Sequence, residues 1–186
     1  MPTIFTHTAV PLAIGLGLGT RLISPRLLVA GVVASIAPDL DVLAFRFGIA
    51  YSDIAGHRGL FHSFAFAVLL ALLATAAAGP LRTTRSRAFA FVLASAASHG
   101  LLDMLTTGGL GVAWFWPFSE TRHFLPWQVI KVSPLSLRRL LSPAGRAVIA
   151  SELWIVWLPA TASCLSLWIA RRVSLSSRTR SASAPR

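Results

Sequence analysis

Apolar residues gather in five runs along this chain, at residues 8–20, 25–38, 60–79, 88–107 and 147–170. A helix needs about 20 apolar residues to cross a bilayer. The last three runs reach that length. The first two are short and predict a tilted or partly inserted hairpin. The fifth run carries Pro159, a kink point. The pattern predicts an all-α, polytopic membrane helical bundle of about five apolar helices, with a membrane-embedded domain over residues 1–170. Residues 171–186 are rich in Ser and Arg and predict a disordered basic tail. The first run has no Lys or Arg before it, as a secretory signal requires, so it reads as a first helix retained in the protein. The "WFWPF" of residues 114–118 and Trp127 read as interface aromatics or as a loop over a site.

Polar residues break this pattern at particular places. His7 begins the first run; Asp39 and Asp41 end the second; His57 and His62 open the third. His99 and Asp103 lie in the second half of the fourth run, and Glu152 in the first third of the fifth. Following the chain up and down, all eight arrive at one end of the bundle. None falls at the connections 20–25 and 80–87, or in the tail.

Composition agrees with a membrane setting. Apolar residues make up 55% of the 186 residues and charged residues 12%, with mean hydropathy +0.70. A soluble domain carries about 25% charged residues. The net charge of +11 would suggest nucleic acid in a soluble protein. Here the basic residues lie between and after apolar runs, which fits membrane lipids as partners, and no nucleic acid is expected. Ten basic residues fall at the end away from the polar cluster and seven, on longer loops, at its own end. The positive-inside rule then favours an extracytoplasmic face for the cluster in a multi-pass inner-membrane protein. The single cysteine, Cys164, excludes an internal disulfide and a thiolate metal cluster.

Any metal must therefore use His, Asp and Glu. His99 and Asp103 are four apart and share a helical face. An ionised Asp deep in a bilayer costs roughly 2.5–3.5 kcal/mol, so such residues pair, face a cavity or bind a metal. Asp39 and Asp41 in "PDLD" can flank an ion. In "GHRGLFHS", Gly56 and Gly59 let the backbone turn, so His57 and His62 can converge from loop and helix. Arg58 between them can hold an anionic group. Ser63 and Ser95 are candidates to orient ligands from outside the cluster, and Glu152 is a possible additional ligand.

Each residue also has an ordinary role open to it. His7 can cap a helix, and Asp39 and Asp41 can be solvated loop carboxylates. Arg58 can pair with Asp53 or a headgroup, and Glu152 with Arg146. Ser63 can bond a backbone carbonyl one turn back. Asp53, Glu120 and His123 read as loop residues. Convergence is what favours chemistry over these separate roles. Imidazoles with carboxylates suit one or two divalent ions, zinc first, with manganese or iron as alternatives. A two-metal site fits the number of ligands and performs hydrolysis.

The ordered set "TH" (His7), "PDLD" (Asp39, Asp41), "GHRGLFHS" (His57, His62), "SHGLLDMLTTGG" (His99, Asp103) and "WFWPF" resembles the bacterial family of membrane-bound metal-dependent hydrolases, also called LexA-binding, inner-membrane-associated hydrolases. The resemblance covers residues 6–157 and implies a multi-helix inner-membrane protein with a metal site. Where that family often carries a His after the second Asp, this chain has Val42. The resulting expectation is an integral membrane hydrolase with one or two divalent ions, two fitting the number of ligands better. His7, Asp39, Asp41, His57, His62, His99 and Asp103 hold metal, Asp39 or Asp41 acts as base, and an amphiphilic lipid or lipid-linked substrate is attacked at the interface. A transporter or ion carrier is the alternative, and would place polar groups at both ends of the bundle. A non-catalytic scaffold with a structural metal is the third.

Overall fold

The computed structural model describes residues 1–134, 140 and 142–182. The chain is helical throughout, and the described residues contain no strand, only isolated bridges joining Thr106 to Ile130 and Val112 to His123. A 3₁₀ turn, Thr6–Thr8, leads into α1 (Ala9–Leu18). Helix α2 (Pro25–Ile36) runs directly into a 3₁₀ helix, Ala37–Phe47. A second 3₁₀ turn, Leu60–His62, precedes α3 (Phe64–Ala76), and α4 covers Arg85–Met104. Helix α5 (Pro143–Glu152), a π turn (Leu153–Trp157) and α6 (Leu158–Ala182) form one continuous run.

Local chemistry sets these boundaries. The Ser24 hydroxyl accepts from the Leu27 amide at 3.1 Å, and Pro25 occupies the first helical position, where its missing N–H costs nothing. Ser63 caps α3 by accepting from Phe66 N at 3.1 Å. Pro159 has no N–H to offer the Ile155 carbonyl, and the turn just before it widens to a π turn, which accommodates the misfit without ending the helix.

The spans are redistributed relative to the sequence pattern. Run three predicts a full crossing, yet α3 has only 13 residues, because Ser63 is extended and the preceding residues turn. Run two predicts a short piece, yet Pro25–Phe47 gives 23 helical residues of high hydropathy. Pro143–Ser174 is the second segment long and apolar enough to cross a membrane. The predicted disordered tail is helical through Ala182 instead: α6 simply propagates, and Arg is a good helix former. Residues 183–186 lie outside the described residues, as do Arg138 and Arg139.

Helix α4 is the central element, packed on α3 and α2, while α1 packs on α6. The core between α2, α3 and α4 is built from small residues, Ala34, Ala67, Ala71, Ala88 and Ala96, around Leu27, Phe91 and Val92. Large apolar side chains point outward instead: Val29, Val33, Leu69, Leu72, Leu73, Trp154, Leu158 and Ile169 are all exposed. Small residues inside and large ones outside is the arrangement expected of helices solvated by lipid tails.

Candidate metal centre

Four elements deliver the cluster. The Thr6–Thr8 turn carries His7, the 3₁₀ helix after α2 carries Asp39 and Asp41, the turn before α3 carries His62, and the last turns of α4 carry His99 and Asp103. On a 3₁₀ helix, with three residues per turn, positions two apart diverge by ~120°. Asp39 and Asp41 accordingly serve different partners.

Asp39 lies among three imidazoles. Its Oδ2 is 3.7 Å from His7 Nε2, and its Oδ1 is 3.5 Å from His62 Nε2 and 3.4 Å from His99 Nε2. Asp103 closes the same ring: its oxygens stand 3.7 Å from His7 Nε2, 3.3 Å from His62 Nε2 and 3.9 Å from His99 Nε2. The His7 and His99 rings stack with centroids 3.7 Å apart. Asp41 faces the other way. It accepts from His57 Nδ1 at 2.6 Å and from the Arg58 amide at 3.1 Å, and its Oδ2 lies 3.1 Å from His62 Nδ1.

Two imidazoles have an assignable orientation. His99 Nδ1 meets the Ser35 carbonyl at 2.7 Å, so Nδ1 donates and Nε2 presents a lone pair to the cluster. Asp41 beside His62 Nδ1 does the same for His62, leaving its Nε2 toward Asp39 and Asp103.

The backbone at residues 56–62 is bent tightly to achieve this. Arg58 has φ 64°, a left-handed conformation uncommon for a residue with a side chain. At Gly59 a Cβ would sit 1.9 Å from the Ile54 carbonyl oxygen, so only glycine fits there. Gly100, next to His99, lets α4 approach the His62 carbonyl and the Trp114 ring, each 2.8 Å from where its Cβ would be.

The comparisons with known proteins bear on where this cluster resides. A family model described as "YdjM inner membrane protein" matches residues 1–176. The chain is also 51% identical over 173 residues to "Inner membrane protein YbcI" of Escherichia coli (strain K12), covering 92% of this chain and all of that protein. The chain belongs to the YdjM inner membrane protein family. No solved structure matches it. These names fix a bacterial inner-membrane location and describe no chemistry.

In this YdjM-family chain the donor set fits a metal. The N···O separations around Asp39 and Asp103, 3.3–3.9 Å, exceed ordinary hydrogen bonds. They match the ~3.4 Å edge of a tetrahedron whose bonds are ~2.1 Å long. Nε2 of His7, His62 and His99 and all four oxygens of Asp39 and Asp103 are buried without a hydrogen-bond partner. Buried lone pairs and charges left unsatisfied are costly, and a divalent cation satisfies them together. Asp39, His62, His99 and Asp103 offer donors all within 4.8 Å of one another, and Asp41, His57 and His62 form a second such group.

Other residues singled out by the sequence have different surroundings. Arg58 is fully buried: its Nε lies 3.2 Å from Asp103, and its terminal nitrogens donate to the Thr106 hydroxyl and the Gly108 carbonyl. The expectation that it grips an anionic group gives way to a role in fixing Asp103. Glu152 is buried but outside the cluster, accepting from Thr3 N, Thr3 Oγ1 and Thr6 Oγ1 at 2.6–2.7 Å. It anchors the turn that carries His7, because α5 ends beside that turn. Ser63 and Ser95 both donate to carbonyls within their own helical turns, Leu60 and Phe91, so neither reaches a cluster side chain. The ligand-orienting contacts come instead from the Ser35 carbonyl and Arg58. A backbone carbonyl leaves no mark in a sequence.

Two loops roof the cluster. Arg122 donates to the carbonyls of His57 and Asp53 at 2.9 Å each and so ties the loop before α3 to the loop after α4. Its guanidinium lies 5.9 Å from the Tyr51 ring centroid, and Tyr51 packs edge-on to His57. Burial pushes the Tyr51 hydroxyl up and the Arg122 guanidinium down from their ordinary pKa values.

Proposed function

We propose that this chain is a membrane-embedded metal-dependent hydrolase acting on an amphiphilic substrate, a lipid or lipid-linked phosphoester, at the extracytoplasmic face. The observation that carries this reading is the ring of unpartnered donors from His7, Asp39, His62, His99 and Asp103, spaced for a shared cation and too far apart to bond one another. Asp39, His62, His99 and Asp103 would hold the first ion, with His7 3.7 Å from both carboxylates beside it. The Asp41–His57–His62 group is where the second ion of a two-metal site would lie. A bound divalent cation supplies Lewis acidity and water activated near neutral pH.

The chain's own residues do the rest. Arg58 holds Asp103 in place, and the Ser35 carbonyl fixes the His99 tautomer. With the first ion alone bound, Asp41, 2.6 Å from His57 Nδ1, orients that imidazole to carry a proton and general-base work falls to this pair; with a second ion bound, Asp41 and His57 would be its ligands instead. Asp39, with both oxygens unbonded, is left as a ligand. The loops at Arg122 keep bulk water from the buried groups.

An ion carrier needs a polar route through the bundle. Toward the far end of the bundle the core is Ile23, Leu27, Ala71, Ala78, Phe91 and Val92, while Ser35, Ser95 and Ser98 turn their hydroxyls to helix carbonyls. That apolar barrier favours a one-mouthed catalytic site over a carrier.

The test is elemental analysis of purified protein, followed by hydrolysis assays on detergent-solubilised phospholipids and lipid-linked phosphates. Stoichiometric metal that is lost in Asp103→Ala, together with metal-dependent product release, is expected. A wild-type protein that carries no metal and recovers none on incubation with Zn²⁺, Mn²⁺ or Fe²⁺ ends the proposal.

A further inference from the structure

A second cavity lies at the opposite end of the molecule, where α1 ends against α6. It encloses about 690 Å³ and is lined by Arg21, Arg171 and Arg172 together with Leu18, Leu22 and Leu167. Ten residues of α1, about 15 Å of helix, separate it from the turn bearing His7.

Its charge is uncompensated. The sequence has no Asp or Glu in residues 1–38, 54–102 or 153–186, so the segments meeting here carry no acidic partner. Among the described residues, every ion pair lies at the metal centre. The arginines use neutral contacts instead. Arg171 donates to the Leu18 carbonyl at 3.4 Å, its Nε is buried without a partner, and it occupies the space a side chain at Gly19 would fill. Arg172 stacks on Trp168 at 4.9 Å from the ring centroid. Three guanidiniums at the mouth and a leucine wall behind them match an amphiphile with an anionic head and apolar tails.

We propose that this cavity binds an anionic phospholipid of the inner membrane, its phosphate held by Arg21, Arg171 and Arg172 and an acyl chain lying along Leu18, Leu22 and Leu167. The site is distinct from the metal centre and does not depend on the hydrolase reading. The bound lipid would brace the end of the direct α1–α6 contact, on a helix otherwise largely exposed. The two helices already meet closely at Gly17, which faces Leu167 and the Cys164 carbonyl, so the lipid would extend this junction beyond the end of α1.

The experiment is native mass spectrometry of the full chain released from micelles doped with phosphatidylglycerol, cardiolipin or phosphatidylethanolamine. The proposal expects retained phosphatidylglycerol or cardiolipin, phosphatidylethanolamine washed away, and no displacement by millimolar inorganic phosphate. Each of Arg21→Gln, Arg171→Gln and Arg172→Gln should weaken retention about fivefold. Arg82→Gln with Arg85→Gln, basic residues at the same end but outside the cavity, should leave it unchanged. Melting temperature, read on the same variants, reports whether each has folded. Equal retention of anionic and zwitterionic lipid overturns the proposal, as does equal loss from the Arg82/Arg85 control, or displacement by free phosphate. If one of the three variants fails to fold, the other two decide.

Discussion

At the scale of single residues, the His/Asp cluster depends on a few side chains that lie outside it. Arg58 joins Asp103, the Thr106 hydroxyl and the Gly108 carbonyl in one planar fork, from a left-handed backbone. Lysine keeps the charge but cannot reproduce three directed contacts. Arg58→Lys should therefore weaken metal binding by about 10–100-fold while the far-end cavity still retains lipid, measured by competition with a metallochromic chelator. Glu152 accepts three hydrogen bonds from Thr3 and Thr6. Glu152→Ala strands those donors and should cost about 3 kcal/mol of stability, seen as a lowered melting temperature. An unchanged melting temperature would show that the carboxylate does not anchor the His7 turn.

At the scale of elements, α4 reaches the centre only because Gly100 has no side chain. A Cβ there would meet the His62 carbonyl and the Trp114 ring at 2.8 Å each. Gly100→Ala should destabilise by about 1–3 kcal/mol through overpacking and should also lower metal occupancy, because the strain falls on His62. Occupancy measured on folded protein separates the two effects. The roofing loops make a different prediction. Arg122 ties them together through backbone carbonyls and the Tyr51 ring. Arg122→Gln should raise amide exchange in residues 50–59 and 108–125 and leave α3 and α4 protected. Uniform exchange across the whole chain would show that the loops and bundle open together.

At the scale of the whole molecule, polarity is divided end to end. The acids and their histidines occupy one end, and uncompensated arginines the other. Positive charge stays on the cytoplasmic side. On a Cys164→Ser background, Glu120→Cys should label from the periplasm with an impermeant maleimide, and Ser86→Cys only after permeabilisation. The reverse pattern would move the centre to the cytoplasmic face. Chelation should lower the melting temperature of wild-type protein, since ion binding stabilises only the folded state, and should leave Asp103→Ala nearly unmoved.

The division between sequence and structure follows from the range of the forces involved. Apolar run lengths and the up-and-down path are local, and by themselves they placed His7, Asp39, Asp41, His57, His62, His99 and Asp103 at one end of an all-helical bundle. They could not say which runs span. That depended on the Ser63 cap, which shortens α3, and on the 3₁₀ continuation, which lengthens the second segment to Phe47. Nor could spacing separate the roles of the acids. Asp39 and Asp41 look alike in "PDLD", and only their ~120° divergence on a 3₁₀ helix sends one to the ring and the other to His57. Spacing also left the roles of Arg58 and Glu152 open between a ligand-side role and an ordinary one. The roles of Arg58 and Glu152 are set by carbonyls, hydroxyls and amides brought near from distant parts of the chain, whereas Ser63 and Ser95 bond carbonyls of their own turns, and a backbone group has no identity that a sequence can display.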